Sequence, residues 1–369
     1  MSYLIYFFIA FALSLLSTPL IKRFAIRQAV LDFPNHPRKI QKEPKPLLGG
    51  LAIFLVFLIT IIIYLKFGKV DFNIIPLKFF YGIIFGGLVL VIGGFFDDKY
   101  DLPPKILWLF PALASVIIVW SGIGVGIKQL SNPFGPPVNI GHNFQFLIFN
   151  FQLSAILVWL WMMGMIFTTK FLDGLDGLCS GISVIGGLAL FALSLMPRLN
   201  QPITATIAII FVGAVFGFLI YNFYPAKIFL GESGSTFLGF MLGVLSIILG
   251  GKIATALLVM GIPILDVAWA IIRRIWYGQS PFRGDKSHLH HRLLDIGFSQ
   301  KQTVLTLCFI SAIFGFVAVF LQSFGKLIAL IILFCVMLAL AISAVMLYKK
   351  KHPHIPDLFD SIDKNAQKR

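Results

Sequence analysis

The sequence predicts an all-α integral membrane protein: a polytopic bundle of about 11 (10–11) transmembrane helices, with the N-terminus outside and the C-terminus in the cytoplasm. Three observations predict it. The 369-residue chain is 58% hydrophobic and only 12% charged, far from the balance of a soluble globular domain. Apolar runs recur at residues 3–20, 47–65, 76–96, 105–121, 153–169, 178–196, 203–221, 235–250, 253–272, 303–321 and 327–348. Each approaches the roughly 17–25 residues that a helix needs to cross a ~30 Å hydrocarbon core. The basic residues also segregate. Lys66, Lys69, Lys78, Lys128, Arg198, Lys252 and Lys326 fall on one side of the threading, and the other 23 of the 30 Lys and Arg fall on the opposite side. The positive-inside rule makes that second side the cytoplasm.

Taken in order, the run at 3–20 lacks a charged start and a small-residue cleavage site, so it reads as a retained helix rather than a signal peptide. Residues 21–46 form the first cytoplasmic loop, and 97–104 the second. The long outer loop, 122–152, holds Gly124, Gly126, Pro133, Gly135, Pro136 and Pro137. It reads as turn-rich, with a β-hairpin or a short interfacial helix. Later cytoplasmic stretches lie near 170–177, 222–234 and 273–302. Length alone suggests more than one domain, but the spacing of the spans argues for a single transmembrane domain over 1–348. The polar tail, 349–369, is expected to be mobile, and its lysines suit an anionic leaflet. Cys179, Cys308 and Cys335 form no CxxC pair and imply neither a disulfide framework nor a metal cluster. The net charge of +15 follows from membrane orientation and does not imply nucleic acid.

The unusual polar residues gather on the cytoplasmic side. "GGFFDDKYDLPPK" puts Asp97 and Asp98 at the inner end of the third run, where charged groups are costly and usually have a role. Taken alone, the pair also fits an exposed loop. "TTKFLDGLDGLCSG" sets Asp173 and Asp176 three residues apart, on one face if helical or across a turn if not. Its glycines permit close approach of a ligand to the backbone; an acidic linker is the plain alternative. "YNFYPAKIFLGESGSTFLG" interrupts two apolar runs with Asn222, Phe229 and Glu232, and its Gly-x-x-Gly-Ser turn offers N–H groups to an anion or simply caps a helix. "PILDVAWAIIRRIWYGQSPFRGDKSHLHHRLLDIG" carries Asp266 inside a run, then Arg283, Lys286, His288, His290, His291 and Arg292. Zinc sites draw histidines from separate elements or at i, i+4 spacing, so this cationic cluster suits phosphate oxygens better.

Carboxylates beside cations on one membrane face suggest Mg²⁺, which uses one or two protein carboxylates plus substrate phosphates. The matching chemistry is phosphoryl transfer between a soluble diphosphate and a lipid-embedded partner, which needs mainly positioning and charge neutralisation.

These motifs together resemble the polyprenyl-phosphate N-acetylhexosamine-1-phosphate transferases (glycosyltransferase family 4). "DFPNHPRKIQKEPKPLLGG" at 32–50 is similar to that family's first cytoplasmic loop, and "DDKYDLPPK", "DGLDGL", "NFYPAKIFLGESGS" and "SPFRGDKSHLHHRL" follow in family order. The resemblance spans about residues 30–300, and "HLHHRL" looks like the branch that moves GlcNAc-1-phosphate onto undecaprenyl phosphate. The muramoyl-pentapeptide transferases, which carry a triple-histidine run, are the alternative within the superfamily. A lipid-binding or transport protein is the alternative outside it, although transporters keep their polar residues near the bilayer midplane.

The resemblance implies that UDP-HexNAc and polyprenyl phosphate give polyprenyl-diphosphate-HexNAc and UMP, the first lipid-linked step of cell-envelope glycan synthesis. It implies catalytic roles for Asp97, Asp98, Asp173 and His290. It implies substrate contacts from Lys105, Lys170, Asp176, Asn222, Phe229, Arg283, His288 and His291. It implies Mg²⁺ (or Mn²⁺) held by Asp173 and Glu232. The implied setting is the plasma (inner) membrane with the active site on its cytoplasmic face, UDP-HexNAc, polyprenyl phosphate and the bilayer as partners, and a homodimer as the assembly. Two departures from the family pattern stand out. Asparagines usual three and six residues before Asp173 are Lys170 and Phe167, and a usual aspartate is Glu232. Lys170 is expected to pair with the substrate diphosphate or with Asp173, replacing part of the metal's charge.

Overall fold

The computed structural model describes residues 2–34, 41, 43–68, 70–125, 129–130, 135, 138–139, 153–250, 253–276 and 289–351. The first half of the bundle comprises α1 (Ser2–Arg27), α2 (Gly49–Phe67), α3 (Leu77–Tyr100), the short α4 (Pro104–Leu107), α5 (Leu109–Trp120), α6 (Leu153–Leu172) and α7 (Leu178–Ser194). The second half comprises α8 (Pro202–Asn222), α9 (Gly231–Ile248), α10 (Ile253–Val259), α11 (Gly261–Trp276), α12 (Leu289–Asp295), α13 (Gln300–Phe320) and α14 (Ser323–Lys351). Among the described residues, 7 helices are long and apolar enough to cross a membrane: α1, α2, α3, α6, α8, α9 and α13. Three shorter apolar stretches join them: Pro104–Trp120, Leu178–Ser194 and Phe324–Leu340. The chain is a multi-pass, helical membrane protein.

Each apolar run of the sequence coincides with one of these helices, with two differences. The run at 105–121 is split at Trp108 into α4 and α5. The run at 253–272 is split at Met260 into α10 and α11. Gly261 and Pro263 open α11, where a glycine weakens helix propagation and a proline fits only the first turn. The last helix continues to Lys351, three residues past the expected span; the tail beyond lies outside the described residues. Two small ladders interrupt the all-helical pattern. β1 (Leu31–Asp32) pairs antiparallel with β2 (Lys45–Pro46) in the first loop, and β3 (Gln129–Leu130) with β4 (Val138–Asn139) in the long loop between α5 and α6.

The bundle is built around α8 and α9, whose apolar windows are 83% and 89% buried, against 17% for the peripheral α1. In lipid, hydrophobicity does not drive helices together, so close packing of small residues must do so. The start of α9 shows this. A Cβ at Gly50 would overlap the backbone of Gly234, and a Cβ at Gly94 would overlap that of Ser233, so α2, α3 and α9 touch main chain to main chain. Backbone hydrogen bonds fix the same junction: Phe229 N–H donates to the Pro46 carbonyl at 2.8 Å, Gly49 to Phe229 at 3.1 Å and Gly50 to Leu230 at 2.9 Å. The first loop and the segment before α9, far apart in sequence, are thereby clamped at one end of the bundle.

Candidate active site

Asp97 and Asp98 occupy the last turn of α3. The helix stops because Asp101 takes a left-handed conformation (φ 52°) and Pro103 follows. Asp97 Oδ1 accepts the Leu102 N–H at 3.0 Å, which orients it at the exit of the helix. Asp98 points into the bundle. Its Oδ1 accepts the Glu232 N–H at 2.9 Å, one of the orphan donors at the start of α9. Its Oδ2 is buried and has no hydrogen-bond partner.

The loop between α6 and α7 brings the second pair of acids. α6 ends at Leu172, and tight turns follow: Asp173 N–H donates to the Lys170 carbonyl at 3.4 Å and Gly174 N–H to Leu172 at 2.8 Å. The two aspartates then diverge in role. Asp176 Oδ2 accepts the Ala226 N–H at 2.9 Å and ties this loop to the one before α9. Asp173 remains open to the mouth of the site, but that mouth is a recess with dense protein on its other sides. Loss of surrounding water first, then the charges of Glu232 and Asp176, push its carboxyl up to about 7.

Glu232, in the first turn of α9, meets Lys170. Lys170 Nζ lies 2.8 Å from Glu232 Oε1, both side chains largely enclosed. The contact has the distance of a hydrogen bond without its angles, so it is an ion pair. The pairing expected between Lys170 and Asp173 is therefore not the one formed. Lys170 also acts electrostatically on Asp97, while Asp98 feels the negative charges of Glu232, Asp97 and Asp173. Four carboxylates thus share one site with one close ammonium. Phe167, the neighbouring departure from the family pattern, stacks on Phe171 with ring centroids 6.3 Å apart.

The histidine segment reaches this site through α12. A Cβ at Gly174 would sit 2.5 Å from His290 Nε2, so the imidazole lies directly on the Asp173–Asp176 loop. His290 is buried, and its ring stands 4.4 Å from that of the half-buried His291. Arg283 and His288 lie outside the described residues. Asp266 was legible only as an acid inside an apolar run, a signal of function by default. Its Oδ1 accepts the Leu289 N–H at 2.8 Å and so holds the start of the helix that carries His290.

Three further expected residues take distinct positions. Lys105 is exposed on α4. Phe229 is half-buried between the main-chain clamps described above. Asn222 is buried, its Oδ1 accepting from Ser180 at 2.9 Å and its Nδ2 donating to Ile228 at 3.1 Å. Both ends of its amide are consumed in bracing α7, α8 and the loop before α9.

Among the described residues, no three His, Cys, Asp or Glu groups form a cage for a metal on their own. Mg²⁺ does not need one, since it keeps waters and takes phosphate oxygens beside one or two carboxylates. The unpartnered Asp98 Oδ2, beside Asp173 and Glu232, fits such partial ligation.

Comparison with known proteins points the same way. Residues 80–250 match the family described as Glycosyl transferase family 4, a stretch that includes every acid of the site. The chain is 33% identical over 349 residues to a probable undecaprenyl-phosphate N-acetylglucosaminyl 1-phosphate transferase of Bacillus subtilis, covering 91% of this chain and 90% of the relative. It is 33% identical over 318 residues to a decaprenyl-phosphate N-acetylglucosaminephosphotransferase of Mycolicibacterium smegmatis, covering 78% and 74%. It is 28% identical over 331 residues to an undecaprenyl-phosphate alpha-N-acetylglucosaminyl 1-phosphate transferase of Thermotoga maritima, covering 88% and 93%.

Proposed function

The chain belongs to glycosyl transferase family 4 and is a membrane phosphoglycosyl transferase; we propose that it moves GlcNAc-1-phosphate from UDP-GlcNAc to a membrane polyprenyl phosphate. A phosphate oxygen of the lipid bonds to the sugar-bearing phosphorus of the donor, the bond from that phosphorus to the bridging oxygen breaks, and UMP leaves. The product is polyprenyl-diphosphate-GlcNAc, which begins lipid-linked assembly of an envelope glycan. The observation that carries this reading is the convergence of Asp97, Asp98, Asp173, Glu232 and Lys170 at one end of an otherwise apolar bundle, with His290 against the same loop.

In this reading the chain threads the plasma membrane about 11 (10–11) times, N-terminus outside, in one transmembrane catalytic domain. Its site opens at the cytoplasmic leaflet, where a soluble nucleotide and a lipid phosphate can meet. Asp97 and Asp98 orient the lipid phosphate, and Asp97 takes up its proton. Asp173 and Glu232, with Asp98 beside them, would hold Mg²⁺ or Mn²⁺. Held there, such a cation would supply charge neutralisation for the diphosphate. His290 and His291, with Arg283, His288 and Lys105 as further cations, bind the diphosphate and sugar. Phe229 offers its ring to uracil. Asp176 and Asn222 shape the site by bracing its loops.

The test is UMP release from UDP-GlcNAc by membranes containing the protein, with and without Mg²⁺, against a panel of other UDP-sugars. Release that needs Mg²⁺ and is strongest with UDP-GlcNAc supports the proposal. Well-expressed protein that releases no UMP from any UDP-sugar overturns it.

A further inference from the structure

Four carboxylates converge at the start of α9, and among the described residues one lysine, Lys170, pairs closely with them. Lys170 Nζ is 2.8 Å from Glu232 Oε1 and also acts on Asp97. The two side chains are 22% and 12% exposed, so solvent screens their attraction only weakly. An ammonium cannot be a metal ligand, and it cannot share one carboxylate oxygen with a divalent cation without strong repulsion. Lys170 and a metal at Glu232 therefore compete for the same carboxylate.

From this competition we propose that Lys170 is a tethered counter-ion that holds the carboxylate cluster together when no metal is bound, and that a divalent cation enters by displacing its ammonium from Glu232. The inference rests on the metal-assisted reading of this site and adds a device to it. Removing one buried charge partner leaves like charges facing one another. With Asp97, Asp98, Asp173 and Glu232 mutually repelling, the cluster needs a resident cation at rest. The four-carbon stem of lysine supplies one that can swing aside, where a planar, forked guanidinium would be held more rigidly. Asp97 already feels the ammonium. Displaced, the ammonium remains within the site, as a positive charge for Asp97 or an incoming phosphate. The resting site thereby binds metal weakly, and binds it well only when a diphosphate arrives to share both cations.

The experiment titrates Mn²⁺ into the purified full-length protein in lipid nanodiscs, without nucleotide, and reads free Mn²⁺ by electron paramagnetic resonance. Lys170→Met removes the charge and keeps the length. It should bind Mn²⁺ about tenfold more tightly than wild type, because the metal no longer competes with an ammonium a few ångströms away. Lys170→Arg keeps the charge on a more rigidly held group and should bind Mn²⁺ no more tightly than wild type. In chelator, Lys170→Met should melt at a lower temperature than wild type, and Mn²⁺ should raise its melting temperature by more. Should Lys170→Met fail to fold, Lys170→Gln is read in its place. Equal Mn²⁺ affinity with and without the ammonium, including no detectable binding by either protein, overturns the inference. The Mn²⁺ titration is independent of transfer: absence of UMP release alongside tighter Mn²⁺ binding by the variant overturns the proposed reaction and leaves the counter-ion in place.

Discussion

Replacing Gly231 by alanine strains the site in two ways at once. Gly231 opens α9 with φ +74°, a left-handed conformation that costs an L-residue with a side chain about 1–2 kcal/mol. The added methyl would also lie 2.5 Å from Asp98 Oδ2, where ordinary contact begins at 3.4 Å. The carboxylate must therefore retreat by about 0.9 Å, and its 2.9 Å hydrogen bond from the Glu232 N–H cannot survive that move. A hydrogen bond to a charged group contributes about 1.5–3 kcal/mol, so the total destabilisation is about 2.5–5 kcal/mol. The effect on turnover should be larger than stability alone predicts, since displacing a reacting group by about 1 Å costs on the order of a hundredfold in rate. The assay is UMP release from UDP-GlcNAc at saturating Mg²⁺, normalised to the monodisperse protein recovered in detergent. Gly164→Ala is the control. No atom lies within 4 Å of a Cβ at this exposed helical position, so it should leave turnover unchanged and add up to about 1 kcal/mol of stability. Wild-type turnover by Gly231→Ala would refute the reasoning, because it would mean that the position of Asp98 does not matter to the reaction.

Other expectations follow from the same contacts. Asn222→Ala leaves Ser180 and the Ile228 carbonyl without their buried partner, at about 1–3 kcal/mol, so the melting temperature should fall while the KM for the nucleotide sugar changes little. Asp266→Ala frees the start of α12; transfer should drop about tenfold with the melting temperature nearly unchanged, and a similar drop with unaltered His290 reactivity toward diethyl pyrocarbonate would count against a positioning role. The Asp173 carboxyl is raised from 3.8 to about 7, so the fold disfavours its charged form. That contribution is fully present below 3.8 and is lost as the pH rises through about 7, so chelator-treated protein should melt at progressively lower temperature from about pH 5 to about pH 8. Asp173→Asn should flatten this slope. Metal binding runs in the opposite sense, weakening as protons compete for Asp173 below about pH 7.

Helix positions were legible because lipid imposes a minimum apolar length, and no run of that length was misplaced by more than a few residues. The acids of the site were legible because charge at a membrane edge is rarely idle. What the linear pattern could not reveal was pairing. Lys170 and Glu232 are 62 residues apart, and only the packing of α6 against α9 makes them neighbours. The same holds for Asp266, whose partner Leu289 lies across a segment rich in glycine and charge. Asn222 shows the same limit: its place at the end of an apolar helix did not reveal that its amide links Ser180 to the Ile228 carbonyl. The break at Met260 had its glycine and proline in plain view, but a hydrophobic run long enough to span a bilayer hid it.

The beginning of α9 lies against α2 and α3 with nothing but main chain between them at Gly50, Gly94 and Gly234. A surface of that kind has no rotamers to change and almost no room for larger residues, so random mutagenesis there should yield mostly inactive protein. Attempts to redirect the enzyme to another sugar would therefore do better to leave this bedrock alone.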